Sequence, residues 1–81
     1  MLKRNSNQET KNPISALQEE CLKQRWPLPK YEIIRQDGPP HMRRFMFQVI
    51  VRGKNYFDPT TFETSKQKAK ALAAAYALDN M

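Results

Sequence analysis

The chain has 81 residues, with 14 Lys and Arg against 8 Asp and Glu, for a formal charge of +6 and a pI near 9.8. That length supplies one modest hydrophobic core and excludes a second domain. The basic balance favours nucleic acid, an anionic membrane surface or an acidic protein, without choosing among them. The single cysteine, Cys21, excludes an intramolecular disulfide and a cysteine-based zinc site, which suits a reducing, nuclear or cytoplasmic compartment. No apolar run approaches the roughly 20 residues of a membrane helix, and no signal-type apolar region opens the chain, so a soluble protein with no membrane partner is expected.

Residues 1–11 are polar and aperiodic, and are expected to form a disordered tail in which Lys3 and Arg4 are too few for a nuclear address. A helix begins at Asn12-Pro13, with Asn as cap and Pro where a missing N–H is harmless. Ile14, Leu17 and Cys21 mark its buried face, with Leu22 at the edge, and the pattern stops at Trp26-Pro27. Tyr31 to Arg35 reads as a short strand with Tyr31 and Ile33 on one face, ending in the turn-formers Gln36 to Pro40.

His41 follows this turn. With no second histidine and no acidic partner placed by a motif, it marks neither a metal site nor a catalytic centre; a loop brace and a nucleic-acid contact beside Arg43 and Arg44 remain open. From Arg44 to Arg52 apolar and polar residues alternate, setting Phe45, Phe47, Val49 and Val51 against the core and Met46, Gln48, Ile50 and Arg52 outside. Phe45, Phe47 and Tyr56 are therefore packing residues rather than a base-stacking platform. Arg52 to Asn55 can turn into a third strand around Asn55 to Asp58, ended by Pro59.

Thr64 to Leu78 completes the chain as a helix. A hydroxyl pair can cap it, Lys66, Lys68 and Lys70 crowd its first two turns, and Ala69, Ala73 and Ala77 form a small-residue stripe suited to close packing on a sheet. The helix N-terminus already favours anions and repels cations, so three lysines there suggest a polyanionic ligand; a solvated basic helix start is the plain alternative. Lys66 and Lys70 share a face that Lys68 does not. Thr64 and Gln67 have the spacing of a capping box.

Three of these segments resemble the double-stranded RNA-binding domain family. Ser65-Lys66-Gln67-Lys68-Ala69-Lys70 is similar to its Ser-Lys-Lys-x-Ala-Lys helix start, Asn12-Pro13-Ile14-Ser15-x-Leu17-Gln18-Glu19 to its first helix, and Gly38-Pro39-Pro40-His41 to its Gly-Pro-x-His loop. The resemblance implies a domain over residues 12–80 of the α+β class: helix, three antiparallel strands, helix, with both helices packed on one face of the sheet. It implies that Gln18 and Glu19 face one RNA minor groove, that Pro39, Pro40 and His41 enter the next, and that Lys66, Gln67 and Lys70 hold the phosphates between. Gln67 stands where the family has a lysine, which weakens one contact. Glu19 would accept from a ribose 2′-hydroxyl, a group DNA lacks, or would be an ordinary exposed helix carboxylate.

The function so implied is binding of double-stranded RNA by shape, with little sequence preference, no cofactor and no small-molecule substrate. The competing reading is a protein-interaction or homodimerisation module on the same scaffold, supported by Gln67 and by Met46 and Ile50 as exposed residues of the outer sheet face. No nucleophile with a base and no motif-held carboxylate pair supports an enzyme.

Overall fold

Asn12 caps the first helix, α1 (Pro13–Gln24), through Oδ1, which accepts from the N–H of Ile14 at 2.8 Å and of Ser15 at 3.1 Å. The computed structural model in which this is seen describes residues 12–60 and 62–81; the expected polar tail, with Lys3 and Arg4, lies outside the described residues. α1 stops before Trp26-Pro27. Arg25 enters the left-handed region at φ 63, its N–H bonds to the Leu22 carbonyl at 3.1 Å, and that of Trp26 bonds to Cys21 at 2.8 Å. This paired closure ends the helix before any proline is reached.

Three antiparallel strands follow in the order β1 (Lys30–Asp37), β2 (Arg44–Val51), β3 (Lys54–Tyr56). β1 is longer than its sequence suggests: Gln36 and Asp37, expected in the turn, pair with Phe45 and Arg44. Pairing holds them in the ladder despite their turn preference. The register slips between Ile33 and Arg35, so Ile34 is the extra residue of a bulge. Tyr31 and Ile33 lie opposite Val49 and Phe47 and share their face as expected, although Ile33, on an edge strand, stays 42% exposed.

β2 and β3 are joined by Arg52 at φ 55 and Gly53 at φ 80, between the paired Val51 and Lys54. Two successive left-handed residues are the backbone of a tight hairpin matched to strand twist. β3 ends at Tyr56, three residues before Pro59, so proline is not its terminator. Asp58 Oδ1 instead accepts from the N–H and hydroxyl of Thr60, at 2.9 and 2.7 Å, and folds the chain away. The line of β3 resumes at Glu63, which exchanges two backbone hydrogen bonds with Phe45, of 2.7 and 3.0 Å.

Ser65 then caps the second helix, α2 (Lys66–Asn80), its Oγ accepting from the N–H of Lys68 at 3.2 Å. The Thr64–Gln67 capping box does not form, because the cap falls one residue later and Lys68 occupies the third helical position. Ala69, Ala73 and Ala77, with Ala74, are buried against Phe47, Val49 and Val51 of β2 and Leu17 and Cys21 of α1. Methyl-sized side chains let the helix axis come close to the sheet, and α1 completes the layer by packing on α2. The result is the expected α+β architecture, with both helices on one face of the sheet.

The core has two perturbed groups. Tyr31 has its hydroxyl buried with no hydrogen-bond partner; burial, and secondarily Cys21, pushes its pKa up to about 12. Burial also raises the pKa of the Cys21 thiol, with a smaller contribution from Glu20.

Candidate nucleic-acid interface

The topology sorts the loop and lysine candidates to one end of the molecule. Trp26 after α1, Arg52 of the β2–β3 turn with Lys54 at the start of β3, and Met81 after α2 line one cavity of about 290 Å³, so both helices finish at that pole. Both helix starts therefore point the other way. The β1–β2 connection lies at that opposite pole, and the Glu63–Phe45 bridge holds the beginning of α2 there as well. Segments far apart in sequence thus meet on one side.

At the start of α2 the lysines are held by aromatic rings. Lys66 Nζ lies 5.6 Å from the centroid of the Phe45 ring, and Lys70 Nζ lies 5.6 Å from that of Phe47. The match is geometric: four residues of helix rise about 6 Å, and two residues of strand about 6.6 Å. Each ring draws a cation by its quadrupole and narrows the ammonium's range. Phe45 and Phe47 are core residues, as their alternation implied, but they also serve as seats for the lysines, a role that strand periodicity does not reveal. Gln67 and Lys68 are exposed beside this pair, on other faces of the helix.

The loop at the same pole starts with Gly38 at φ 96, where an added Cβ would come within 2.7 Å of the Met42 carbonyl oxygen. Only glycine fits there without strain. Pro40–Met42 makes one 3₁₀ turn, closed by the Met42 N–H donating to the Pro39 carbonyl at 2.9 Å. Pro39, Pro40 and His41 are all exposed on it, ahead of the partly shielded Arg43. Two rings of proline stiffen a turn that would otherwise sample many shapes. Gln18 and Glu19 are exposed on the face of α1 away from Leu17 and Cys21.

The outer face of the sheet departs from expectation. Met46 is only 4% exposed and Ile50 is half-buried, so the apolar docking surface read from these two side chains is not presented. Glu63 pairs with Phe45 and shares its inner face, which turns the preceding Phe62 to the outer face. There the Phe62 ring lies 4.9 Å from the Arg44 guanidinium carbon and 5.6 Å from that of Arg35. These arginines flank Met46 along and across the strands, so the Phe62 ring lies on the same outer face as Met46. No sequence pattern marks this, because Phe62 lies in an irregular segment. Among the described residues, no three His, Cys, Asp or Glu side chains form a group that could hold a metal ion, and no helix is long and apolar enough to cross a membrane.

This architecture and the order of its elements define a double-stranded RNA-binding domain. The sequence model described as "Double-stranded RNA binding motif" matches residues 13–81, and the chain belongs to that family. It is 40% identical over 72 residues, 89% of its length, to the "Interferon-inducible double-stranded RNA-dependent protein kinase activator A homolog B" of Xenopus laevis, of which it covers 23%. It is 41% identical over 69 residues to "Protein Loquacious" of Drosophila melanogaster, covering 85% of this chain and 14% of that one. The chain thus spans under a quarter of the length of these curated relatives. Among solved structures, that of Arabidopsis HYL1 superposes with a TM-score of 0.74 at 34% identity, over 83% of this chain and 92% of that one.

Proposed function

We propose that this chain binds double-stranded RNA by the shape of the A-form helix. Lys66 and Lys70, seated on their rings, take phosphates across the major groove, helped by Gln67 beside them. Pro39, Pro40 and His41 enter one minor groove, and Gln18 and Glu19 meet the 2′-hydroxyls of the other, over roughly 16 base pairs. The observation that carries this reading is the gathering of the loop and the paired lysines at one pole of the domain. A deep, narrow major groove admits phosphate contact but not base reading, so little sequence preference follows. The chain acts as a binding module without catalysis, cofactor or small-molecule substrate of its own, in a nuclear or cytoplasmic RNA-processing protein.

The test is a titration against matched 20-base-pair duplexes of RNA and DNA at two salt concentrations, a length chosen to exceed the roughly 16 base pairs of the family footprint. RNA binds far more tightly than DNA, and affinity falls as salt rises. The double substitution Lys66→Glu with Lys70→Glu lowers RNA affinity at least tenfold and flattens the salt slope by about two, one for each lost phosphate contact. Unchanged affinity of this variant overturns the lysine assignment, and absence of RNA binding by the unsubstituted chain at low salt overturns the function.

A further inference from the structure

The two RNA-facing elements of the pole are joined by more than the shared sheet. Asp37 is the last residue of β1, Arg44 is the first of β2, and the two are register partners at the base of the loop. Arg44 Nε and Nη2 both donate to Asp37 Oδ1, at 3.3 and 3.2 Å. The same guanidinium lies over Phe62, three residues ahead of the Ser65 cap, and the next residue, Glu63, is locked to Phe45 by two backbone bonds. A continuous run of contacts therefore leads from the foot of the Pro39–His41 loop to the start of α2.

We propose that Asp37, Arg44 and Phe62 form a clasp that positions the minor-groove loop relative to the lysines of α2, and so sets the spacing on which two-point binding of the duplex depends. This rests on the RNA reading above and adds residues that touch no RNA. The side chains of Arg44 and Asp37 are 53% and 39% exposed. An ion pair so exposed adds little to folding stability, so its consequence is geometric. When two contacts must be made by one rigid ligand, affinity depends on how well their separation is preset, because loosening it lowers the effective concentration of the second contact for the first.

Asp37 makes the inference easy to test, since its charge and its contact have opposite consequences. A carboxylate beside a polyanion is repulsive, so if Asp37 is only a charge, Asp37→Ala, which removes both the charge and the acceptor, tightens RNA binding. If it is part of the clasp, Asp37→Ala weakens binding despite the gain in net positive charge. The expected result on a 20-base-pair RNA duplex is a loss of roughly threefold to tenfold with the salt slope unchanged, because no phosphate contact is removed. Phe62→Ala behaves likewise and Phe62→Trp restores binding, since a ring is again available to the guanidinium. On a duplex of about 8 base pairs, half the span and able to engage one element only, the variants match the unsubstituted chain.

Should Phe62→Ala unfold, Asp37→Ala, a substitution at a partly exposed position at the end of a strand, still decides the matter. Equal or tighter binding of Asp37→Ala, or an equal loss on long and short duplexes, overturns the clasp while leaving RNA binding intact. Failure of the unsubstituted chain to bind RNA overturns both.

Discussion

Replacing Tyr31 by Phe removes one oxygen atom, and the structure indicates that the protein is more stable without it. The hydroxyl is buried without a hydrogen-bond partner, whereas in the unfolded chain water satisfies it. Leaving such a group unpaired costs about 1–3 kcal/mol, and the ring itself packs on the core, so Tyr31→Phe keeps the packing and relieves the cost. A gain of about 1 kcal/mol at pH 7 is expected, equivalent to a rise in Tm of about 4–8 °C for a domain of this size. The effect has a second signature. Burial raises the folded-state pKa from 10.0 to about 12, so in alkali the unfolded chain loses this proton first and stability falls as pH rises through the unfolded value. At pH 11 the phenol is mostly ionised in the unfolded chain and mostly neutral in the folded one, which lowers stability by roughly 1.4 kcal/mol. Urea unfolding of the two proteins at pH 7 and pH 11 measures both parts, and the advantage of Tyr31→Phe roughly doubles between them. A loss of stability at pH 7 would refute the reasoning, because the hydroxyl would then be satisfied in the folded state, and so would an advantage that does not change with pH, because burial would then not penalise the ionised form.

Gln67→Lys supplies an additional cation at the exposed start of α2 and is expected to raise RNA affinity several-fold and steepen the salt slope by about one, read in the same duplex titration. Gly38→Ala forces a Cβ against the Met42 carbonyl at positive φ and should cost about 2 kcal/mol by urea unfolding, with weakened RNA binding. Gly53→Ala meets only open space at φ 80, so it should cost about half as much and leave RNA affinity unchanged. Cys21 is fully buried with a raised thiol pKa, so iodoacetamide at pH 8 should alkylate the folded chain at least a hundredfold more slowly than the unfolded one. Because only the unfolded chain ionises this thiol as pH passes its ordinary value of 9.0, Cys21 also removes stability on the alkaline side and none below it.

Much of this domain is local chemistry and therefore legible in the chain itself. Asn12-Pro13 must start a helix because it satisfies the first free N–H groups and gives up one that has no partner. The alternation from Phe45 to Val51 fixes which face of β2 is buried, since a strand has no other way to sort its side chains. The alanine stripe of α2 identifies the side that lies on the sheet. The candidate site residues were legible differently, through short motifs that resemble those of the family, while the loop of Gly38 to His41 owes its shape to glycine and proline geometry that works without distant partners.

What local chemistry could not decide was settled by pairing and by long-range contact. Gln36 and Asp37 have turn preferences, yet they belong to β1 because Phe45 and Arg44 lie opposite them. Ser65 and Thr64 are both capping residues; the bridge between Glu63 and Phe45 accompanies a cap at Ser65, which leaves Gln67 at the surface. Phe45 and Phe47 became seats for Lys66 and Lys70 only when strand and helix were laid side by side with matching rises. Met46 was outward by periodicity and buried in fact, on a face where Phe62, from a segment with no period at all, meets the flanking guanidinium of Arg44. Periodicity reports the direction a side chain takes from its own backbone, and what meets it there depends on parts of the chain far away in sequence.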